Sequence, residues 1–216
     1  MMKDKVYIFK NIDEWKDEEV DFLLSELSEE RKQKLKKYRK KEDQKLSAMA
    51  YLLLRYALVK DFNIREKITL VQEGFGKPYL QEYKDIYFNF SHCSSCAVCA
   101  VSTEKIGVDI EYIAKERLLL SELVLAQGEM ELVRCAEKKE EIFVRLWVLK
   151  ESTVKRDGVG LMYGVNHLDF SKDKEGIFYK YNRIYHTRKI NNLYIAVCGQ
   201  NPVEFIFVSK NDLKFI

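Results

Sequence analysis

The pattern of hydrophobic and polar positions predicts helices followed by strands, twice along the chain. In the first half, residues 42–62 carry an apolar stripe with helical spacing, and short alternating segments follow it as far as residue 102. In the second half, helical spacing returns at 114–155, and segments rich in aromatic and β-branched residues follow. The predicted outer strands are 5–9 at the start of the chain and 167–170, 177–185, 193–198 and 204–208 at its end.

This repeated order of elements predicts an α+β protein. We expect two similar α+β lobes related by a pseudo-twofold axis, with a ligand cleft between them, because ligand sites favour such junctions. The change from strands back to helices falls near residues 103–105, so the predicted lobes are 1–104 and 105–216. No low-complexity linker separates the two halves.

Composition narrows the function classes. The chain has 216 residues and is 47% hydrophobic, enough to bury a sizeable core. Its 37 Lys and Arg nearly balance its 34 Asp and Glu, so net charge does not indicate nucleic acid or membrane as a partner. No apolar run approaches the roughly 20 residues that cross a bilayer, and MMKDKVYIFK lacks the apolar stretch of a signal peptide. We therefore expect a cytoplasmic protein.

Two acids alternate with apolar residues in the sequence IGVDIEY. On a β-strand, Val108 and Ile110 would face a core, and Asp109 and Glu111 would both emerge on the opposite face. The sequence therefore predicts two carboxylates that share one exit from the strand. A solvated strand face is the alternative interpretation.

A third acid lies on a predicted helix in the sequence LWVLKESTVK. Trp147, Glu151 and Lys155 recur every four positions and therefore share one helix face. Three carboxylates from Asp109, Glu111 and Glu151 suit Mg²⁺, which keeps coordination positions open for phosphate oxygens and water. A Glu–Lys pair at this spacing is also common on helix surfaces.

The first half supplies cationic residues. Eight of the eleven residues at 31–41, RKQKLKKYRKK, are Lys or Arg, which attract a phosphate or an acidic partner. Arg31 and Lys34 share a helix face that suits one phosphate group, and Ser47 offers a hydroxyl on the next predicted helix. A solvated basic helix is the alternative for this segment.

A turn and a strand add further candidates. In the turn GFGKP, Gly76 lets the backbone approach a ligand and Lys77 can pair with a phosphate. Ser91 and His92 follow YFNF at a predicted strand end, where side chains often serve a site. Glycine-rich turns and single histidines are also common structural features.

The cysteines favour a reduced protein. Cys93 and Cys96 form a CxxC pair beside His92, a spacing found in zinc and redox sites. Cys99 repeats this spacing from Cys96, but the sequence contains no separate second CxxC pair and no HxxxH to complete a tetrahedral site. Reduced, partly buried thiols are therefore the favoured interpretation.

The order of these motifs resembles that of a known family. GKPYL, FNFSH, IGVDIEY and WVLKESTVK, with a trailing DGVGL, resemble the motifs of the 4′-phosphopantetheinyl transferase superfamily of the monomeric, two-lobed Sfp type. The resemblance covers about residues 28–161. It implies a Mg²⁺-dependent enzyme that moves the phosphopantetheine arm of coenzyme A onto a serine of an apo acyl or peptidyl carrier protein and releases 3′,5′-ADP.

The resemblance also implies roles for individual residues. Asp109, Glu111 and Glu151 match the Mg²⁺-binding acids, and Lys155 matches a lysine near the pyrophosphate. Glu151, or a water that it holds, is the candidate general base, and Lys155 would stabilise the departing phosphate. The positions associated with the 3′-phosphate are Arg31, Lys34, Ser47 and His92, and other coenzyme-binding positions are Gly76, Lys77 and Ser91.

Two other functions stay open at this point. A metal-dependent nucleotide pyrophosphohydrolase would use similar acids with a positioned water. A nucleic-acid-binding module would use the basic segment 31–41 and would not need the acids. The leucine-rich segment 114–126 is either a docking surface for the carrier protein or part of the core.

Overall fold

The computed structural model describes residues 4–12, 15–16, 18–19, 32–33, 35, 40–73, 76–93, 95–160 and 164–215. It has the α+β fold that the sequence predicted. The helices with described bounds are α1 (Lys41–Phe62), α2 (Ser121–Val124), α3 (Gln127–Cys135) and α4 (Lys139–Asp157), with 3₁₀ turns at Lys115–Leu120, Val165–His167 and Asp212–Phe215. The strands are β1 (Asp4–Phe9), β2 (Leu70–Glu73), β3 (Lys77–Leu80), β4 (Tyr87–Cys93), β5 (Cys96–Ser102), β6 (Gly107–Tyr112), β7 (Gly176–Lys180), β8 (Arg183–Ile190), β9 (Leu193–Gly199) and β10 (Val203–Phe207).

The strands form two four-stranded sheets and one separate hairpin. The first sheet has the order β10-β1-β5-β4, the second has the order β6-β9-β8-β7, and β2 pairs with β3. Strand β10 returns from the end of the chain to pair in parallel with β1, placing Val203 opposite Asp4. The first sheet therefore combines three strands from the first half of the chain with β10 from the second half. The predicted division into lobes at 1–104 and 105–216 and their pseudo-twofold relation stay predictions.

Both sheets are buried on two faces. In β1, Tyr7 and Phe9 pack with α1, and Val6 and Ile8 join an apolar cluster shared with the second sheet. Strand β9 alternates in the same way, because successive side chains of a strand point to opposite faces. Its Ala196 and Cys198 pack with the α4 cluster, and its Ile195 and Val197 join the shared cluster. The core thus holds α1, the two sheets and α4 in successive layers.

Edge strands β4 and β6 are joined by side chains. The Asn89 side-chain oxygen accepts the Val108 backbone N–H at 3.0 Å, and the Ser91 hydroxyl oxygen accepts the Ile110 N–H at 3.4 Å. Unpaired N–H groups in a buried strand edge would cost free energy, so these two bonds satisfy the outer edge of β6. They also fix the position of β6 relative to the first sheet.

Two strand predictions were wrong in detail. Residues 167–170 are not a strand: His167 ends the 3₁₀ turn Val165–His167, and the Lys150 ammonium donates to the carbonyl groups of Val165 and Leu168. The predicted strand 177–185 is a hairpin, since Tyr181 and Asn182 both have positive φ angles, of 50° and 58°, and reverse the chain. In the described part of the chain, no helix has the length and apolar character needed to cross a membrane.

The cysteines of the CxxC pair face each other across the β4–β5 hairpin. Cys93 and Cys96 are register partners, and both are buried in the cluster between the sheets. Burial raises the pKa of both thiols, which disfavours the thiolate that metal binding and redox exchange require. Their contacts agree with a structural role as reduced thiols.

A buried ion pair anchors α4. The Lys150 ammonium lies 2.8 Å from a Glu129 carboxylate oxygen, and both side chains are fully buried. It also donates to the Val165 and Leu168 carbonyls, and Glu129 accepts the N–H groups of Ala126 and Phe170. This network ties α3, α4 and the turn at Val165–His167 together, so Lys150 positions the helix that carries Glu151.

We predict that Lys150→Met lowers the free energy of unfolding by about 3–5 kcal/mol, because it leaves the Glu129 carboxylate buried without its cation. The double variant Lys150→Met/Glu129→Leu should lose less than the sum of the two single losses. Urea unfolding monitored by circular dichroism measures each value. Lys189→Met is the control, since the Lys189–Glu141 pair is partly exposed and should contribute at most about 1 kcal/mol. Equal losses for the Lys150 and Lys189 variants would contradict the prediction.

Candidate active site

A solvent-open cavity lies where β4 and β6 meet, between α1 and α4. It has a volume of about 370 Å³ and is lined by residues from all four elements. Seven residues that the sequence singled out lie on its wall. They are Ser47, Ser91, His92, Asp109, Glu111, Glu151 and Lys155.

The alternation of β6 places its acids as predicted. Val108 and Ile110 are buried in the cluster between the sheets, so Asp109 and Glu111 point the other way, into the cavity beside α4. Gly107 permits this arrangement, because a Cβ there would lie 2.1 Å from the Ser152 carbonyl oxygen of α4. Gly107 was not among the residues predicted from the sequence, although a glycine at the start of a strand is a known sign of close backbone approach.

Helix α4 presents its predicted face to the same cavity. Trp147, Glu151 and Lys155 all line it, as their four-residue spacing requires. The Lys155 ammonium donates to an Asp109 carboxylate oxygen at 2.6 Å and to the Ser91 hydroxyl oxygen at 2.9 Å. Ser91 in turn donates to the same Asp109 oxygen at 2.8 Å. These bonds connect β4, β6 and α4 at the bottom of the cavity.

Glu151 is the acid whose charge is least compensated. It is 7% exposed, and one of its carboxylate oxygens is buried without a hydrogen-bond partner among the described residues. Burial, followed by the negative charge of Asp109, raises the Glu151 pKa to about 7, with Lys155 opposing the shift and Glu111 adding to it. Glu151 therefore brings a buried carboxylate oxygen without a partner among the described residues to the cavity that Asp109 and Glu111 also line.

The other two acids have cationic partners. Asp109 binds Lys155, and a Glu111 carboxylate oxygen lies 2.8 Å from the Arg117 guanidinium. Burial nevertheless raises the Glu111 pKa above its ordinary value. Within the described ranges, no three His, Cys, Asp or Glu side chains are already gathered as a metal-binding group. The three acids thus share one cavity, and local cations hold two of them.

The Lys77 ammonium, which we predicted to bind the coenzyme, donates hydrogen bonds to two backbone carbonyl groups. It donates to the Ile106 carbonyl at 3.2 Å and to the Arg156 carbonyl at 2.8 Å, and burial lowers its pKa to about 8. It therefore ties β3 to the end of α4 and the start of β6. Gly76 adopts a φ of 90° in the preceding turn, which explains the glycine, and Pro78 reaches the cavity wall.

Four further residues were predicted to bind the coenzyme, namely Ser91, His92, Arg31 and Lys34. Ser91 and His92 lie in the last three residues of β4, which ends at Cys93, so they are at the end of this strand as predicted. Both line the cavity, because β4 is an edge strand beside it. Arg31 and Lys34, the predicted phosphate-binding pair, lie outside the described residues.

The leucine-rich segment after β6 divides between core and surface. Leu118 and Leu120 pack against the α4 core, and Val124 is buried within it. Leu119 and Leu123 are instead 84% and 72% exposed. The segment therefore has a buried face and an exposed apolar face.

We predict a distinctive pH dependence for the stability of the metal-free protein. The folded chain keeps a proton on Glu151 up to about pH 7, whereas the unfolded chain releases it near 4.5. Between these pH values the folded state binds more protons than the unfolded state. The stability that the Glu151 proton contributes is therefore fully present below pH 4.5 and is lost as the pH rises through about 7.

In the presence of a chelator, the free energy of unfolding of the wild type should therefore fall by about 3 kcal/mol relative to that of Glu151→Gln between pH 4.5 and 8. Denaturant unfolding of both proteins across this range gives the difference. Parallel pH profiles would show that the Glu151 carboxylate is not buried as described.

Comparison with known proteins agrees with this geometry. Residues 13–104 match the family "4′-phosphopantetheinyl transferase, N-terminal", and residues 105–198 match the "4′-phosphopantetheinyl transferase superfamily". The chain is 30% identical over 167 residues to the 4′-phosphopantetheinyl transferase gsp of Aneurinibacillus migulanus, covering 76% of this chain and 70% of that one. It is 26% identical over 162 residues to the 4′-phosphopantetheinyl transferase Sfp of Bacillus subtilis (strain 168), covering 74% and 72%. The chain therefore belongs to the 4′-phosphopantetheinyl transferase superfamily.

Proposed function

We propose that this chain transfers the 4′-phosphopantetheine group of coenzyme A to a serine hydroxyl of an apo acyl or peptidyl carrier protein, in the presence of Mg²⁺ and with release of 3′,5′-ADP. The main support is that Glu151 has a buried carboxylate oxygen without a hydrogen-bond partner among the described residues, in a cavity that Asp109 and Glu111 also line. The relatives from Aneurinibacillus migulanus and Bacillus subtilis are 4′-phosphopantetheinyl transferases, which supports the type of group transferred.

The chemistry of coenzyme A matches the two sides of the cavity. Its 3′-phosphate needs hydrogen-bond donors and cations, which Ser47 of α1 and His92 of β4 provide together with the proposed contributions of Arg31 and Lys34. Its pyrophosphate needs a metal ion and a fixed cation, for which the wall formed by β6 and α4 is suited. Coenzyme A would therefore lie across the junction of β4 and β6.

Asp109, Glu111 and Glu151 would hold the Mg²⁺. The fit rests on oxygen donors, which Mg²⁺ prefers, and on the uncompensated carboxylate of Glu151. When bound, Mg²⁺ neutralises charge that develops on the phosphate oxygens during transfer.

Two residues of α4 have the chemistry for the transfer itself. The carrier serine must lose its proton as its oxygen attacks the phosphorus on the pantetheine side. In this role the Glu151 carboxylate would accept the proton, directly or through a water that it holds. The Lys155 ammonium, held by Ser91 and Asp109, would stabilise the phosphate of the departing 3′,5′-ADP.

The exposed leucines supply a surface for the carrier protein. Leu119 and Leu123 are four residues apart on a segment that packs against the α4 core through Leu118 and Leu120 and reaches Glu111 of β6 through Arg117. Exposed apolar pairs of this kind commonly mark protein contacts. A carrier docked there would have its serine close to the cavity. A monomeric state, a cytoplasmic location and the lack of nucleic-acid or membrane partners stay predictions from the sequence.

The transfer itself is tested by incubating the chain with coenzyme A, Mg²⁺ and an apo carrier protein. Mass spectrometry should show the carrier gaining one phosphopantetheine, and Asp109→Ala or Glu151→Ala should lower the rate at least about 100-fold, because each removes charge stabilisation from the site. Glu131→Ala, which changes an exposed acid on α3, should keep the full rate.

The products separate transfer from hydrolysis. Release of 3′,5′-ADP from coenzyme A without any carrier would instead indicate a pyrophosphohydrolase. Full transfer activity in both acid variants, with circular dichroism spectra like that of the wild type, would contradict the assignment of the site.

Carrier docking is tested separately with Leu119→Ser/Leu123→Ser. Because this change removes two exposed apolar side chains, the KM for the carrier should rise about tenfold or more while the KM for coenzyme A stays the same. Tyr179→Ser, at an exposed aromatic residue of edge strand β7, is the matched control and should change neither value. An unchanged carrier KM in the leucine variant would exclude this surface.

A further inference from the structure

We infer that Arg117 is a positioning residue that links carrier docking to cation binding, because its guanidinium holds Glu111 from the turn that bears the exposed leucines. This inference rests on the proposed function. It goes beyond it by assigning a role to a residue outside the motifs that carry the family resemblance.

Glu111 is held through both of its carboxylate oxygens. One lies 2.8 Å from the Arg117 guanidinium, and the other accepts the backbone N–H of Tyr112 at 2.9 Å. The Glu111 side chain is 13% exposed, whereas the Arg117 side chain is 43% exposed. The acid is therefore sheltered at the cavity, and its partner reaches it from the protein surface.

Arg117 competes with a cation for Glu111. A carboxylate oxygen bound to a guanidinium has less charge and fewer lone pairs to offer a metal ion. The positive charge of Arg117 also disfavours a second positive charge at the same oxygen. Among the three acids, Glu111 differs because its cation comes from a turn beyond the cavity wall, whereas Asp109 is held by Lys155 from within it.

The turn that carries Arg117 also carries the proposed docking surface. Leu119 lies in the same 3₁₀ turn, Lys115–Leu120, and Leu123 lies in α2, which follows directly. Leu118 is packed against the α4 core and anchors the turn. A partner that covers the two exposed leucines must therefore contact the turn within a few residues of Arg117.

In this proposal, an acidic group on the carrier connects carrier docking with cation binding. The partly exposed guanidinium can form an ion pair with such a group, and Glu111 is then released toward the cation. By thermodynamic linkage, a cation that draws Glu111 away makes Arg117 available to the carrier to the same extent. Cation binding and carrier binding should therefore strengthen each other.

The test measures Mg²⁺ binding by calorimetry on the chain saturated with coenzyme A. A carrier whose acceptor serine is changed to alanine is added or omitted, so that no transfer takes place. In the wild type, the carrier should tighten Mg²⁺ binding about fivefold or more. In Arg117→Gln, Mg²⁺ should bind about two- to fivefold more tightly without carrier, and the carrier should add little.

Two controls separate a specific link from a general effect of charge. Lys115→Gln removes an exposed positive charge from the same turn and should keep the coupling of the wild type. In a Glu111→Gln background, Arg117→Gln should no longer alter Mg²⁺ affinity beyond the change that Lys115→Gln causes there. If Arg117→Gln does not fold, Arg117→Lys is measured in its place, because lysine keeps the positive charge but lacks the planar guanidinium.

The inference is overturned if Arg117→Gln binds Mg²⁺ as the wild type does or more weakly, or if the carrier still tightens binding in that variant. A change in thermal stability alone would also overturn it, since a purely structural ion pair would act in that way. If Mg²⁺ binds the wild type and Asp109→Ala equally, the proposed metal site fails together with this inference. If Mg²⁺ binding depends on Asp109 and not on Arg117, only this inference fails.

Discussion

The position of the acids depends on how β4 and β6 are joined. Each strand is the edge of a different sheet, and their contact is made by side-chain oxygens of Asn89 and Ser91 that accept backbone N–H groups of β6. This arrangement satisfies a buried strand edge without merging the sheets into one. It leaves a cavity between α1 and α4 at the junction. The shape of the site is thus a consequence of the packing of two sheets whose outer faces are covered by different helices.

Gathering three carboxylates in such a cavity is unfavourable without positive charge nearby. Lys155 and Arg117 form ion pairs with Asp109 and Glu111, whereas Glu151 has a buried carboxylate oxygen without a hydrogen-bond partner among the described residues. Burial, followed by the charge of Asp109, raises the Glu151 pKa to about 7. Raised carboxyl pKa values beside specific charged partners are typical of functional sites. Burial and the negative charge of Asp109 disfavour the charged form of Glu151. In the proposed function, a divalent cation that binds there would compensate this charge.

Local patterns predicted much of this site. Alternation in IGVDIEY correctly placed Asp109 and Glu111 on one strand face, and four-residue spacing correctly placed Glu151 and Lys155 on one helix face. These predictions succeeded because each depends only on the period of a single element.

Contacts between distant segments could not be predicted in the same way. The partners of the Lys77 ammonium are carbonyl groups of Ile106 and Arg156, which its own sequence neighbourhood does not reveal. Contacts between distant segments also explain why β10 returns to pair with β1 and why the strand predicted at 167–170 is absent. In the latter, the buried ammonium of Lys150 binds the carbonyl groups of the turn, and this contact overrides local strand propensity.

A crystal structure with coenzyme A and Mn²⁺, located by its anomalous scattering, is the most direct test of whether the three acids share one cation. We predict a manganese ion within about 2.5 Å of carboxylate oxygens of Asp109, Glu111 and Glu151, next to the pyrophosphate. A manganese ion bound away from these three side chains, with Glu151 still lacking a partner, would contradict the proposed site.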